Sequence, residues 1–108
     1  MSNVRGPGQV EISIRYLRHV GPMNIQGSLT LQFDSLRPYS FIARVQWPGG
    51  SNYESAVREA VEEVLQERQG SLDSTRVVLT HIEWDDVASC EVGFRKAAAA
   101  ATRAAFEV

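Results

Sequence analysis

The sequence predicts an α+β domain, a two-layer sandwich in which two helices cover one face of a four-stranded sheet. Three observations support this fold class. The first 47 residues contain three segments in which apolar and polar residues alternate. Two later segments have apolar residues at helical spacing, and a β-branched segment lies between them. The predicted element order is therefore β-β-β-α-β-α.

The three N-terminal strands are predicted from alternation and from the turns between them. Residues 9–20 alternate as a half-buried strand does, and a turn follows at residues 21–22. Residues 25–33 repeat the pattern, and after a second turn at residues 34–38 it occurs a third time in residues 39–47. Short connections favour an antiparallel meander, so we expect these strands to pair in chain order.

The first helix is predicted to begin after residues 48–51. Ser51 precedes Glu54 by three residues, which is the spacing of a capping box. Apolar residues within 53–65 follow helical spacing and acidic residues take the other side, so we expect the acidic face to lie in water. Gly70 is a typical stop signal.

The C-terminal third predicts a strand followed by a helix. Residues 75–84 are rich in β-branched side chains and suit a well-covered strand. Residues 89–106 are rich in alanine, which has the highest helix propensity. The small alanine side chains allow this helix to approach its neighbours closely.

Composition indicates an ordinary globular domain. The chain has 108 residues, 44% of them hydrophobic and 22% charged, which suffices for one modest core. We expect residues 9–108 to form a single domain and residues 1–8 to be a flexible N-terminus. The sequence contains no apolar leader or bilayer-length run, and its one cysteine, Cys90, cannot form an internal disulfide. A cytoplasmic protein without membrane contact is expected.

Charge is divided unevenly along the chain. The first 50 residues contain five arginines and two acids and so carry +3, while the remainder carries −5. An RNA contact would therefore use the N-terminal half, where Arg15, Arg18 and Arg44 are the candidate residues. Aromatic residues are interleaved with them, as on a base-stacking surface. Alternation nevertheless places Tyr39 and Trp47 on the core side and Arg44 opposite, so a core role for the aromatics is equally supported.

No catalytic constellation is visible in the sequence. A nucleophilic Cys90 would need a base, and the only histidines are His19 and His81. His81 alternates with apolar residues, so we expect it to face them or a sheet edge. Asp85 and Asp86 are expected to cap a helix rather than to bind metal. With no nucleotide-binding fingerprint, we expect neither enzyme activity nor a cofactor.

The most specific signal is the segment from Trp84 onwards, which reads W-D-D-V-A-S-C-E-V-G-F-R-K and continues into the alanine-rich helix. It resembles the end of domain IV of translation elongation factor G, where a strand runs into a tip similar to Tyr-His-Asp-Val-Asp-Ser-Ser-Glu. A helix beginning with an aromatic and a basic residue follows. The positions in step with that pattern are Asp86, Val87, Ser89, Glu91, Phe94, Arg95, Ala97, Ala98 and Phe106.

The resemblance reaches back to Tyr39 and implies both a fold and a function. The implied fold is the one named for the second domain of ribosomal protein S5. In elongation factor G this domain enters the small ribosomal subunit near the decoding site, and its tip touches RNA. The resemblance thus implies a non-catalytic, stand-alone domain associated with the ribosome or RNA. The implied partner-contact residues are Trp84, Asp85, Asp86 and Ser89.

Two departures from the family pattern leave an alternative open. Asp85 stands where the family has its tip histidine, and the basic segment between the first two strands is shortened to residues 18–23 without lysine. Both departures remove positive charge where phosphates would be met. The alternative is a protein–protein interaction module, and on either interpretation we expect a monomer or weak dimer.

Overall fold

The computed structural model describes residues 9–34, 38–48, 52–69, 75–85 and 88–105. The predicted α+β class and the element order are confirmed. The elements are β1 (Gln9–Val20), β2 (Met23–Asp34), β3 (Ser40–Ala43), α1 (Glu54–Gln69), β4 (Arg76–Glu83) and α2 (Glu91–Ala105). The predicted flexible residues 1–8 lie outside the described residues, as do the predicted cap Ser51 and the stop signal Gly70.

A long β-hairpin forms the N-terminal part of the sheet. β1 and β2 pair antiparallel along their whole length, from Gln9 opposite Asp34 to Val20 opposite Met23. Only Gly21 and Pro22 remain in the turn, and Gly21 has a φ of 60°. Two-residue hairpin turns need a positive φ at the first central residue, which glycine adopts without steric cost. The register of the hairpin is therefore set by this turn.

The predicted meander is wrong, because β3 does not pair with β2. The strand order in the sheet is β1-β2-β4-β3, in which β4 is antiparallel to β2 and parallel to β3. Alternation shows which face of a strand is covered, but it does not identify the neighbouring strand. A parallel neighbour needs a crossover connection, and here α1 supplies it between β3 and β4.

The third strand is also shorter than predicted. Its ladder covers Ser40–Ala43, and one further hydrogen bond runs from the Arg44 N–H to the Leu79 carbonyl at 2.9 Å. Val45 and Trp47 lie beyond the ladder but still pack against the core. The alternation in residues 39–47 therefore reports burial of side chains, while only the first half of the segment pairs as a strand.

A β-bulge changes the phase of β4. Leu79 lies opposite Leu31 but His81 lies opposite Thr30, so Thr80 is an extra residue on the β4 side. A bulge of this kind shifts every later side chain to the other face. The bulge therefore decides which side chains beyond Thr80 face the core.

The alternation predicts that His81 faces the same side as Val77 and Leu79. Because of the bulge, it faces the opposite side instead. It is exposed on the face of the sheet that the helices leave open, which we call the open face. Two later residues, Ile82 and Trp84, turn inward instead and pack against the core. A prediction that assumes uniform alternation along β4 places Ile82 and Trp84 on the wrong face.

The core lies between the sheet and the two helices. α2 packs over β1 and β2, and α1 packs against α2. Ile12, Ile14 and Tyr16 of β1 pack against this core while staying partly exposed, since β1 is an edge strand. The buried cluster consists of Leu29, Leu31, Phe33, Val57, Ala60, Val61, Leu65, Val77, Leu79, Phe94, Ala97, Ala98 and Ala101.

The acidic face of α1 is not simply solvated as predicted. Arg95 of α2 reaches Glu59 with an Nη2–Oε1 distance of 2.7 Å, and Arg103 approaches Glu67 at 3.9 Å. The hydrogen bond to Glu59 is the main cause of a raised Arg95 pKa. The two helices lie side by side, so arginines of one reach carboxylates of the other. These pairs are exposed and contribute little stability, but they favour one alignment of the helices.

Tyr39 links the segment before β3 to α1. Its phenol O–H donates a hydrogen bond to the Glu62 carboxylate. Burial and this hydrogen bond raise the pKa of Tyr39 above its ordinary value. The phenol therefore stays protonated and keeps donating well beyond neutral pH.

Replacing Val61 by alanine is expected to destabilise the protein by about 1 to 3 kcal/mol, because a fully buried side chain is removed and leaves a cavity. Val61 is 0% exposed in α1, whereas Glu63 on the same helix is exposed. Equilibrium urea denaturation measures the free energy of unfolding, with Glu63→Ala as the matched control. An unchanged midpoint for Val61→Ala would contradict its place in the core.

Candidate functional site

Hydrogen bonds join the described residues of the predicted contact segment into a compact group, which we call the tip and define as Trp84, Asp85, Ala88, Ser89 and Cys90. Asp86 and Val87 lie outside the described residues. The Ala88 N–H donates to Asp85 Oδ1 at 2.9 Å, and the Asp85 N–H donates to Ser89 Oγ at 2.8 Å. The Ser89 N–H completes the turn by donating to the Asp85 carbonyl at 2.9 Å.

Asp85 was predicted to cap a helix, and it caps the turn that precedes one. α2 begins at Glu91, so the Asp85 carboxylate caps the turn before the helix instead of the helix itself. Aspartate and serine are favoured in such turns because their short side chains accept hydrogen bonds from nearby backbone N–H groups. The three bonded N–H groups of the turn are thereby satisfied within the protein.

β2 holds the tip from the side. The Gln26 N–H donates to the Ala88 carbonyl at 2.9 Å, and the Cys90 N–H donates to the Gln26 carbonyl at 3.4 Å. Gln26 and Ser89 form a parallel bridge, so the tip continues the sheet beside β2. Sequence reasoning missed Gln26. The one available signal was Gly27, because an isolated glycine in a strand often marks a close backbone approach.

Such an approach occurs between Gly27 of β2 and Gly93 in the first turn of α2. A Cβ atom on Gly27 would lie 2.2 Å from the Gly93 carbonyl carbon, and a Cβ on Gly93 would lie 2.1 Å from the Gln26 carbonyl oxygen. Neither position has room for a side chain. The start of α2 therefore rests directly on the backbone of β2, immediately beside the tip.

An aromatic cluster supports the tip from within the core. It consists of Trp47, Tyr53, Trp84 and Phe94, and its ring centroids are 5.2 to 6.4 Å apart. Trp84 stacks on Phe94 and Tyr53, with interplanar angles of 17° and 24°. Offset aromatic pairs stabilise beyond the area they bury. Trp84 thus anchors the first residue of the tip.

The hairpin extends past the end of β4 beside the tip. Pairing of β2 with β4 starts at Ser28, so residues 17–26 of the hairpin extend past β4, with the tip bonded to Gln26 at their base; we call this part of the hairpin the arm. Arg18 and His19 are exposed on it, and the His19 ring shares a hydrogen bond with Asn24. The tip and the arm together make one end of the domain, the tip end.

Exposed apolar side chains also occur at the tip end. Leu17 is 56% exposed, Met23 is 62% exposed and Val92 is 51% exposed. Leu17 lies opposite Gln26, and Val92 precedes Gly93, which contacts Gln26. Leu17 and Met23 belong to the arm and Val92 to the first turn of α2, so the three large exposed hydrophobic residues of the described chain all lie at the tip end.

The three arginines predicted as RNA contacts lie in separate places. Arg15 is on the open face, 3.6 Å from Glu83, beside a shallow cavity of about 310 Å³. Arg44 lines a different cavity of about 300 Å³ together with Arg76, where Glu11, Gln32 and Asp34 are also present. Arg18 is on the arm. In the part of the chain that the structure describes, these arginines do not form one basic stripe.

The potential catalytic residues are also apart. Cys90 precedes α2 on the helix-covered side, while His81 is exposed on the open face and His19 is on the arm. Over the described ranges, no group of three or more His, Cys, Asp or Glu side chains is placed to share a metal ion. No helix among these residues is long and apolar enough to cross a membrane.

Comparison with known proteins gives a structural likeness. No protein-family model matches the chain, and no curated protein matches it at a significant level. A crystal structure from Thermus thermophilus is similar over 89% of this chain, with a TM-score of 0.78 and 19% sequence identity. The chain spans 15% of the length of that protein. This likeness shows the fold, and the resemblance to elongation factor G stays a prediction.

The glycine contact yields a test in which two effects oppose each other. Helix propensity alone predicts that Gly93→Ala stabilises by about 1 kcal/mol, whereas forcing the backbones apart is expected to destabilise by about 1 to 3 kcal/mol. We expect a net loss for Gly93→Ala and a loss for Gly27→Ala, measured by urea denaturation. The double variant should cost less than the sum, because either change alone separates the same backbones. A stabilised Gly93→Ala protein would contradict the contact.

Proposed function

We propose that this chain is a non-catalytic domain of the elongation factor G domain IV type, which contacts RNA on the ribosome through its tip end. The observation that carries the proposal is the construction of this end. A turn closed by its own hydrogen bonds is fixed to β2 through Gln26 and to the core through Trp84. Backbone groups that are already held by such bonds lose little conformational freedom on binding.

The sequence resemblance and the fold support the same interpretation. The tip follows the C-terminal end of β4 and leads into α2, as the resembled family pattern places it. The arm lies beside it and carries the exposed Arg18. The tip and the arm lie side by side at one end of the domain and could contact the backbone of folded RNA together, since proteins recognise double-stranded RNA mainly by shape and by backbone contacts.

The charge of the tip end predicts a weak contact. Arg18 can neutralise a phosphate, while the Asp85 carboxylate repels one. Oδ1 of this carboxylate accepts a hydrogen bond from the Ala88 N–H. A substitution that removes the acceptor would therefore break a bond of the tip. Asparagine keeps that acceptor and removes the charge.

Asp85→Asn is therefore expected to strengthen binding to ribosomal RNA fragments without loosening the tip. The measurement is a binding titration at several salt concentrations, together with co-sedimentation of the protein with ribosomes. Glu63→Gln is the matched control, since it removes the same charge from an exposed position on α1. Equal gains for both variants would indicate a general charge effect. Absence of binding by all variants at low salt would overturn the proposal.

Arg18→Ala is expected to weaken RNA binding and to reduce the salt dependence by about the contribution of one phosphate, a slope change of roughly 0.7 to 0.9. Lys96→Ala, which removes one exposed positive charge from α2, is the control. The same titrations provide the slopes. If Arg18→Ala and Lys96→Ala behave alike, the arm is not part of the contact.

The exposed hydrophobic residues at the tip end favour a second candidate function, recognition of a protein. Leu17, Met23 and Val92 would then supply the contact area. Ribosome co-sedimentation that persists in high salt and is lost in Met23→Gln, but not in Arg18→Ala, would favour this candidate. Contacts to phosphate are weakened by salt, whereas burial of apolar surface is not.

A further inference from the structure

Among the described residues, one edge of the sheet is a long regular strand whose protective features are limited to its charged side chains. β1 is 12 residues long and is the terminal strand of the sheet. It pairs with β2 in a continuous register, without a bulge, and Gln9–Val20 contains no proline. Proteins usually protect such edges with short strands, prolines, bulges or lysines. Among the described residues no strand occupies the outer side of β1.

The sequence of this edge is complementary to itself. When a second copy is laid antiparallel with Ser13 opposite Ser13, Glu11 lies opposite Arg15 of the second copy, and the reverse pair forms by symmetry. On the helix-covered face Ile12 lies opposite Ile14 of the second copy. Cross-strand pairs of opposite charge and of β-branched residues both stabilise antiparallel sheets. Among antiparallel registers centred on a residue of β1, the one centred on Ser13 sets Glu11 opposite an arginine.

We propose that the protein forms a symmetric homodimer in which two β1 strands pair antiparallel about Ser13. The two sheets then join into one eight-stranded sheet, and α2 of each copy flanks the junction. A two-fold axis makes the same surface serve both subunits, as closed dimers require.

Burial supports this assignment of the partner. Ile12, Ile14 and Tyr16 pack against the core but are only partly covered within one copy. The same residues of a second copy would cover them, because β1 would no longer be an edge. The opposite edge of the sheet offers fewer backbone groups for pairing with a second copy, since β3 has only four residues.

Two interactions of these charged residues are compatible with the dimer. Arg15 contacts Glu83, and Glu11 accepts a hydrogen bond from Gln32 at 3.2 Å. Glu83 and Gln32 lie on β4 and β2, away from the free edge. An arginine carries five N–H donors and can bind two carboxylates at once. Among the described residues the paired segment runs from Gln9 to Leu17, so Arg18, His19 and the tip lie outside it.

Cross-linking through Ser13 tests the register. Residues directly opposite in an antiparallel pair have Cα atoms about 4.5 to 5.5 Å apart, which suits a disulfide. We expect Ser13→Cys, in a Cys90→Ser background, to form a covalent dimer under mild oxidation. Thr30→Cys in the same background is the control. Thr30 lies beside Ser13 on β2, and its distance from its counterpart would be about 14 Å, or three strand spacings. Equal cross-linking of both variants, or none for Ser13→Cys, would overturn the register.

Charge exchange tests the pairing independently of folding. Sedimentation velocity over a range of concentrations is expected to show a monomer–dimer equilibrium for the unchanged protein. Glu11→Arg or Arg15→Glu alone should raise the dimer dissociation constant at least tenfold, and the double exchange should restore it. Arg58→Glu, which reverses an exposed charge on α1, should have no effect. A protein that stays monomeric at all concentrations, or single variants that the double exchange does not rescue, would overturn the proposal.

Discussion

The direct contact between the backbones of β2 and α2 is the constraint on which the rest of this structure depends. Gly27 and Gly93 leave no room for a side chain on either element, so the first turn of α2 can lie on the strand itself. With the helix at this depth, Phe94 reaches the centre of the aromatic cluster and the alanines of α2 fill the space above β1 and β2. Close packing leaves few other arrangements for these elements.

The same contact explains how a short turn at the protein surface is held in one position. Gln26 is the neighbour of Gly27, and both of its backbone groups bond to the tip. Trp84 holds the other side of the turn in the aromatic cluster, and Asp85 and Ser89 close it. The position of the tip is thus set by β2, β4 and α2 together, because its backbone and its first side chain are bonded or packed against all three.

The sequence predicted those features that depend on local chemistry. Alternation located β1 and β2 and placed the turn at Gly21–Pro22, and in the structure this turn fixes the pairing of the two strands. The neighbour of β3 could not be predicted, since parallel pairing across α1 depends on packing between distant segments. The pairing of Arg95 with Glu59 was missed for the same reason. Of the candidate site, the turn at Asp85 was predictable, but its attachment to Gln26 was not.

The bulge at Thr80 divides the strand β4 into two halves with opposite parity. Before it the odd-numbered residues Val77 and Leu79 face the helices, and after it the even-numbered Ile82 and Trp84 do. A homologue without the extra residue could match this chain in side-chain pattern on one side of Thr80 only, unless a one-residue gap is placed there. Sequence comparison with such a protein would therefore understate the structural likeness, because one inserted residue changes which side chains face the core from Thr80 to Trp84.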